Sequence, residues 1–101
     1  MDIFHALAEP NRRTILEMLA DRGQLSASDI YDNFDVSPPA ISQHLKVLRE
    51  AELVLMKKIA QKRMYELNPE AFSELEAWTK KMKAMWNQKF DRLDQVLKNK
   101  K

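Results

Sequence analysis

The chain has 101 residues, enough for one hydrophobic core and expected to form one domain over 1–101. Apolar residues make up 45% and charged residues 32%, the balance of a folded, highly charged protein rather than a disordered one. The absence of cysteine excludes disulfides, thiolate metal sites and cysteine catalysis, and is compatible with a reducing cytoplasm. Net charge is only +2. It is unevenly spread, from −4 over residues 1–36 to +3 over 37–67 and +3 over 68–101. An acidic front and a basic middle fit one face turned towards a polyanion. No apolar run reaches the ~20 residues of a membrane span, and Met1-Asp2-Ile3-Phe4 does not open like a secretory signal.

The elements follow in chain order. Ile3, Phe4 and Leu7 share a stripe of a short first helix that Pro10 closes. Pro10 also suits the first turn of a second helix carrying Ile15, Leu16 and Leu19. Gly23, the only glycine, stands where that helix should end. Ser26-Ala27-Ser28-Asp29 reads as a cap opening a third helix through Ile30, Tyr31 and Phe34. Ser37-Pro38 opens a fourth helix, reaching about Ala51.

Leu53–Lys58 and Lys62–Leu67 read as two strands of a hairpin around Ile59-Ala60-Gln61. The turn lacks the usual Asn-Gly or Asp-Gly. Asn68-Pro69 starts a last helix, over 68–99, in which Phe72, Leu75, Trp78, Met82, Trp86, Phe90, Leu93 and Leu97 recur at threes and fours. About 30 helical residues span about 45 Å. The rest of the chain makes a body only about 25–30 Å across. Much of the stripe therefore needs a partner, and a second copy is the simplest.

Two helices joined by a tight turn and followed by a basic hairpin define the expected fold class. It is mainly α, a winged helix-turn-helix with a two-stranded β-hairpin wing and a long C-terminal dimerisation helix. At about 100° per residue, Ile41, Leu45 and Leu48 form the core side of the fourth helix. Pro39, Gln43, Lys46 and Glu50 lie opposite, with Ser42 and Val47 at the flanks. Ser42 and Gln43 suit hydrogen bonds to base edges, and Lys46 suits a phosphate or a guanine. Lys57, Lys58, Lys62 and Arg63 place four cations around the wing, where backbone phosphates would be neutralised. Lysines on an edge strand also deter aggregation, which explains any one of the four better than the set.

The run Phe4–Leu16 and the run Ser37–Ala51, with its Ser42-Gln43-His44-Leu45 core, resemble the ArsR-type repressors. Tyr65-Glu66-Leu67-Asn68-Pro69 and the late Trp78 and Trp86 resemble the branch with a long C-terminal helix and no known metal site. The resemblance implies a cytoplasmic homodimer whose first and last helices form the interface and whose fourth helix binds an operator of dyad symmetry. Carried over by position, Ser37, Pro39, Ala40, Ser42, Gln43 and His44 would face DNA. The helical wheel places His44 nearer the core, where a packed, hydrogen-bonded histidine is the commoner outcome. Ile3, Phe4 and Leu7 with Trp78, Met82, Met85, Trp86, Phe90, Leu93 and Leu97 would form the dimer interface. Arg12 and Arg13 match the family's arginine pair, and at least one is expected to brace the fold by ion pairing.

The departures matter as much. Metal-sensing relatives place Cys-x-Cys at the start of the third helix, where this chain has Ser26-Ala27-Ser28. Hydroxyls are poor ligands for thiophilic metals or arsenite. The other family metal site needs histidine on the last helix, which offers Asp91 and Asp94 but no histidine. No metal or other cofactor is expected. Glu52 and Ala60 stand at positions usually held by glycine, so the turn after the fourth helix, or the wing tip, is expected to be rebuilt. No phosphate-binding loop or catalytic constellation is present, and the chain is not expected to be an enzyme. The expected activity is sequence-specific binding of double-stranded DNA, as a homodimeric repressor at a palindromic operator. The alternative is a winged-helix protein-interaction module, with Trp78, Met82, Met85 and Trp86 as its partner surface. A protein or small-molecule effector is left open by the residues.

Overall fold

Glu9, Ser26 and Ser37 each stand at the start of a helix and accept a free backbone N–H with the side chain. The computed structural model describes residues 2–99. Helix α1 spans Ile3–Leu7 and α2 spans Pro10–Arg22. Pro10 occupies the first turn of α2, and the Glu9 carboxylate accepts the Arg12 N–H at 3.0 Å. Gly23 ends α2 at φ 84°, a backbone state that glycine reaches without strain.

Strand β1, Gln24–Ser26, follows, then α3, Ala27–Tyr31. Ser26 and Asp29 form a reciprocal capping box: Ser26 Oγ accepts the Asp29 N–H at 3.1 Å, and Asp29 accepts the Ser26 N–H. The expected continuation to Phe34 does not occur. The Asn33 side chain donates to the Asp29 carbonyl at 2.7 Å, the acceptor its own N–H would need for a further helical turn. The Asn33 and Phe34 N–H groups bond three residues back instead.

Helix α4, Pro38–Glu50, is capped by Ser37 and buries Ile41, Leu45 and Leu48 in the core that also holds Ile15, Leu19 and Ile30. Its end is a Schellman arrangement in which the Leu53 N–H reaches the Leu48 carbonyl and the Glu52 N–H reaches that of Arg49. Glu52 holds the left-handed position at φ 61°. The Asn68 side chain donates to the Glu52 carbonyl at 2.8 Å and fixes this residue in place.

Strands β2, Val54–Ile59, and β3, Lys62–Leu67, pair antiparallel with Ile59 opposite Lys62. This leaves a two-residue loop whose first residue, Ala60, sits at φ 56°. Positive φ there is the pattern of a type II′ turn, which ordinarily carries glycine. Neither turn was rebuilt: the chain keeps the left-handed positions at Glu52 and Ala60 and bears strain of about 1 kcal/mol at each. Ala60→Gly is therefore expected to raise unfolding stability by about 0.5 kcal/mol, measured by chemical denaturation, as strain relief outweighs added chain entropy. The sheet order is β1-β3-β2. Strand β1 adds a third strand to the expected hairpin, pairing Leu25 with the buried Tyr65.

The last helix, α5, spans Pro69–Asn99. The backbone divides into two compact units, one up to Ala71 and one from Phe72 on. No helix among the described residues is long and apolar enough to cross a membrane.

Candidate nucleic-acid interface

Helix α4 separates its faces sharply. Ile41, Leu45 and Leu48 lie inside, while Ser37, Pro39, Ser42, Gln43, Lys46 and Glu50 are exposed. Ala40 is half-buried, and Val47, expected at the flank, is buried. The Ser37 hydroxyl accepts the Ala40 N–H at 3.4 Å. Ser42 does not stand alone on this face: its hydroxyl and that of Tyr31 on α3 are 2.8 Å apart. The helical wheel gives no sign of this pair, because it joins two helices across a turn.

His44 is held towards α2. Its Nδ1 lies 3.4 Å from the Arg12 guanidinium and its Nε2 3.8 Å from the Glu9 carboxylate, with the side chain 18% exposed. Arg12 also donates to the carbonyls of His5 and Ala6, at 3.1 and 2.7 Å. Arg13 donates to the Leu7 carbonyl at 2.6 Å. Both arginines thus tie down the C-terminal carbonyls of α1, where cations are also favoured by the helix dipole. The bracing expected of this pair is present, but its acceptors are carbonyl groups rather than a carboxylate partner.

Residues directly opposite in an antiparallel ladder share a sheet face, so the register divides the four wing cations into two pairs. Lys58 and Arg63 stand directly opposite each other, in line with Met56 and Tyr65. Lys57 and Lys62 belong to the other face, where Lys57 pairs with Glu66 at 3.2 Å. Like charges directly opposite each other on a ladder destabilise it. The Lys58–Arg63 pair therefore costs stability in the free protein and would be relieved by an external anion. Lys58, Lys62 and Arg63 are all exposed.

Of the residues expected at a dimer interface, Ile3 and Leu7 are half-buried and Phe4 is exposed. On α5, Trp78, Met82, Met85, Trp86, Phe90, Leu93 and Leu97 are between 42% and 62% exposed. Val96, which the sequence reading omitted, belongs with them. Trp86 and Phe90 meet edge to face with centroids 4.9 Å apart.

The residues present do not fit the family's thiolate metal site. Ser26 is buried, and its hydroxyl is engaged as the α3 cap. Among the described residues, no three of His, Asp and Glu come together where they could hold a metal ion.

A capped helix-turn-helix pair, a sheet-borne cationic hairpin and a core formed between them define a winged helix-turn-helix DNA-binding protein. The model of the bacterial regulatory protein arsR family matches residues 9–55, from the α2 cap into β2. Over 77 residues the chain is 35% identical to the transcriptional repressor SdpR of Bacillus subtilis, covering 76% of this chain and 84% of that protein. It is 30% identical over 100 residues to the arsenical resistance operon repressor of Escherichia coli, covering 98% and 82%. Among solved structures, a possible transcriptional regulator for arsenical resistance superposes with a TM-score of 0.74 at 34% identity, covering 95% and 96% of the two chains. The chain belongs to the ArsR family of transcriptional regulators, which are not enzymes.

Proposed function

We propose that this chain is a homodimeric repressor that acts in the cytoplasm on an operator of dyad symmetry. The observation that carries this reading is the exposed Pro39, Ser42, Gln43 and Lys46 face of α4, on the same unit as a wing with directly opposed Lys58 and Arg63. The α4 face supplies base-edge and phosphate contacts, with Ser37 and Ala40 at the helix entry nearest the backbone. The wing cations hold phosphates without reading sequence. His44, tied to Glu9 and Arg12, contributes by fixing α4 on α2 rather than by reaching a base.

Dimerisation is supported by the exposed apolar stripe of α5. Two copies related by a two-fold axis would present two α4 helices to two half-sites. The buried, capping Ser26 argues against thiophilic metals as the releasing signal, unlike what the arsenical names of some relatives would suggest.

The experiment is to select duplexes from a random DNA pool with the wild-type protein and measure binding of the enriched sequence. An inverted repeat is expected, bound by two copies about a thousandfold more tightly than a shuffled duplex. Failure to enrich any sequence, or equal affinity for both duplexes, would overturn the reading.

A further inference from the structure

Helix α3 ends on Tyr31, a half-buried residue whose hydroxyl lies 2.8 Å from Ser42 Oγ on the exposed face of α4. Hydroxyl side chains inside helices commonly turn back to the carbonyl four residues earlier. Two threonines of this chain do so: Thr14 bonds to the Pro10 carbonyl at 3.1 Å and Thr79 to that of Leu75 at 2.9 Å. Ser42, in the second turn of α4, meets Tyr31 instead. The chain thus joins the two helices of its reading motif through a pair of hydroxyls at the protein surface.

We infer that Tyr31 is a positioning residue of the DNA interface, setting the Ser42 hydroxyl to donate its hydrogen to an acceptor on DNA. The inference rests on the reading of the α4 face as the DNA-contacting surface. Two hydroxyls carry two hydrogens, and one is used between them. The phenol is the more acidic group and the better donor, so Tyr31 donates to Ser42 Oγ and Ser42 keeps its own hydrogen for an outside acceptor. A hydroxyl that already accepts a hydrogen bond is polarised into a stronger donor. An anionic phosphate oxygen or a guanine or thymine oxygen would each take it, and both are hydrogen-bond acceptors. Tyr31 also takes up the rotation of the serine hydroxyl before binding, which lowers the entropy lost when the contact forms.

The test measures Tyr31→Phe, Ser42→Ala and the double variant on a duplex selected from a random pool by the wild-type protein, and on a shuffled duplex of equal length. Tyr31→Phe removes only the hydroxyl, and an unchanged melting temperature separates its effect from loss of packing. The expected result is a three- to tenfold loss of affinity for each single variant, with the double variant no weaker than the weaker single. Loss on both duplexes identifies a phosphate as the acceptor, and loss on the selected duplex alone identifies a base edge. Wild-type affinity in Tyr31→Phe overturns the inference. So does a double variant whose losses multiply, since Tyr31 would then act independently of Ser42. Absence of wild-type binding to either duplex would instead overturn the DNA-reading role of α4 itself.

Discussion

Replacing Trp86 by glutamate is expected to convert the proposed dimer to monomers and to weaken operator binding by two orders of magnitude or more. Trp86 sits near the middle of the α5 stripe and is 61% exposed in the single chain. Seven other large apolar residues from Trp78 to Leu97 share its situation, each at least 42% exposed. Monomeric proteins rarely leave a continuous apolar surface of this extent in water, and every square ångström covered returns about 25 cal/mol. A two-fold interface meets itself, so one substitution introduces two carboxylates into it. Burying unpaired charges outweighs what the remaining stripe contributes. The loss on DNA follows from avidity: two linked reading heads exceed one by a factor of about 10² to 10⁴. Sedimentation equilibrium would read the mass and fluorescence anisotropy the affinity, with circular dichroism confirming that helix content persists. A Trp86→Glu protein that remains dimeric would place the interface elsewhere.

The second large effect concerns salt. Four cations per protomer are exposed on the candidate elements: Lys46 on α4, Lys58 and Arg63 on one face of the wing, and Lys62 on its other face beside the tip. Lys57 is set apart by its pairing with Glu66. The proposed dimer would bring about eight phosphate contacts, each releasing a counterion. The slope of log affinity against log salt is then about −7, so raising salt from 50 to 200 mM weakens binding by about four orders of magnitude. The shuffled duplex should show nearly the same slope, because phosphate contacts are independent of sequence. A slope shallower than about −2 would mean that these cations do not meet phosphates.

Local chemistry made most of the framework readable. Ser37-Pro38, Asn68-Pro69 and Gly23 each mark a helix boundary through a capping side chain, a fixed φ or a free one, and such signals do not depend on the rest of the fold. The core face of α4 followed from its periodicity, and Ile41, Leu45 and Leu48 are indeed buried. What escaped depended on partners distant in sequence. Strand β1 has three residues, too few to alternate, and exists because Leu25 can pair with Tyr65 forty residues later. Helix α3 stops early because a single asparagine side chain takes the carbonyl that the next turn needed. At Glu52 and Ala60 the residue type pointed to altered turns. The cost of a left-handed alanine or glutamate is small enough that the surrounding hydrogen bonds, including that from Asn68, preserve the geometry.

The same division runs through the candidate site. The polar face of α4 and the wing cations were legible one residue at a time. The tie of His44 to Glu9 and Arg12, the Tyr31–Ser42 pair and the opposition of Lys58 to Arg63 required the fold. Each is a contact between elements, set by packing rather than by spacing along the chain.

The central claim is that α4 reads sequence while the hairpin holds the backbone, and Gln43→Ala tests it most directly. Gln43 is exposed on the polar face of α4 and suits an adenine edge, a contact that distinguishes bases by about 1–3 kcal/mol. The measurement is the affinity of Gln43→Ala for the selected duplex divided by its affinity for the shuffled one. That ratio should fall at least tenfold below wild type with shuffled-duplex affinity unchanged, whereas Lys58→Ala should weaken both duplexes alike. A Gln43→Ala protein that keeps the wild-type ratio would contradict the assignment of this face of α4 as the sequence reader.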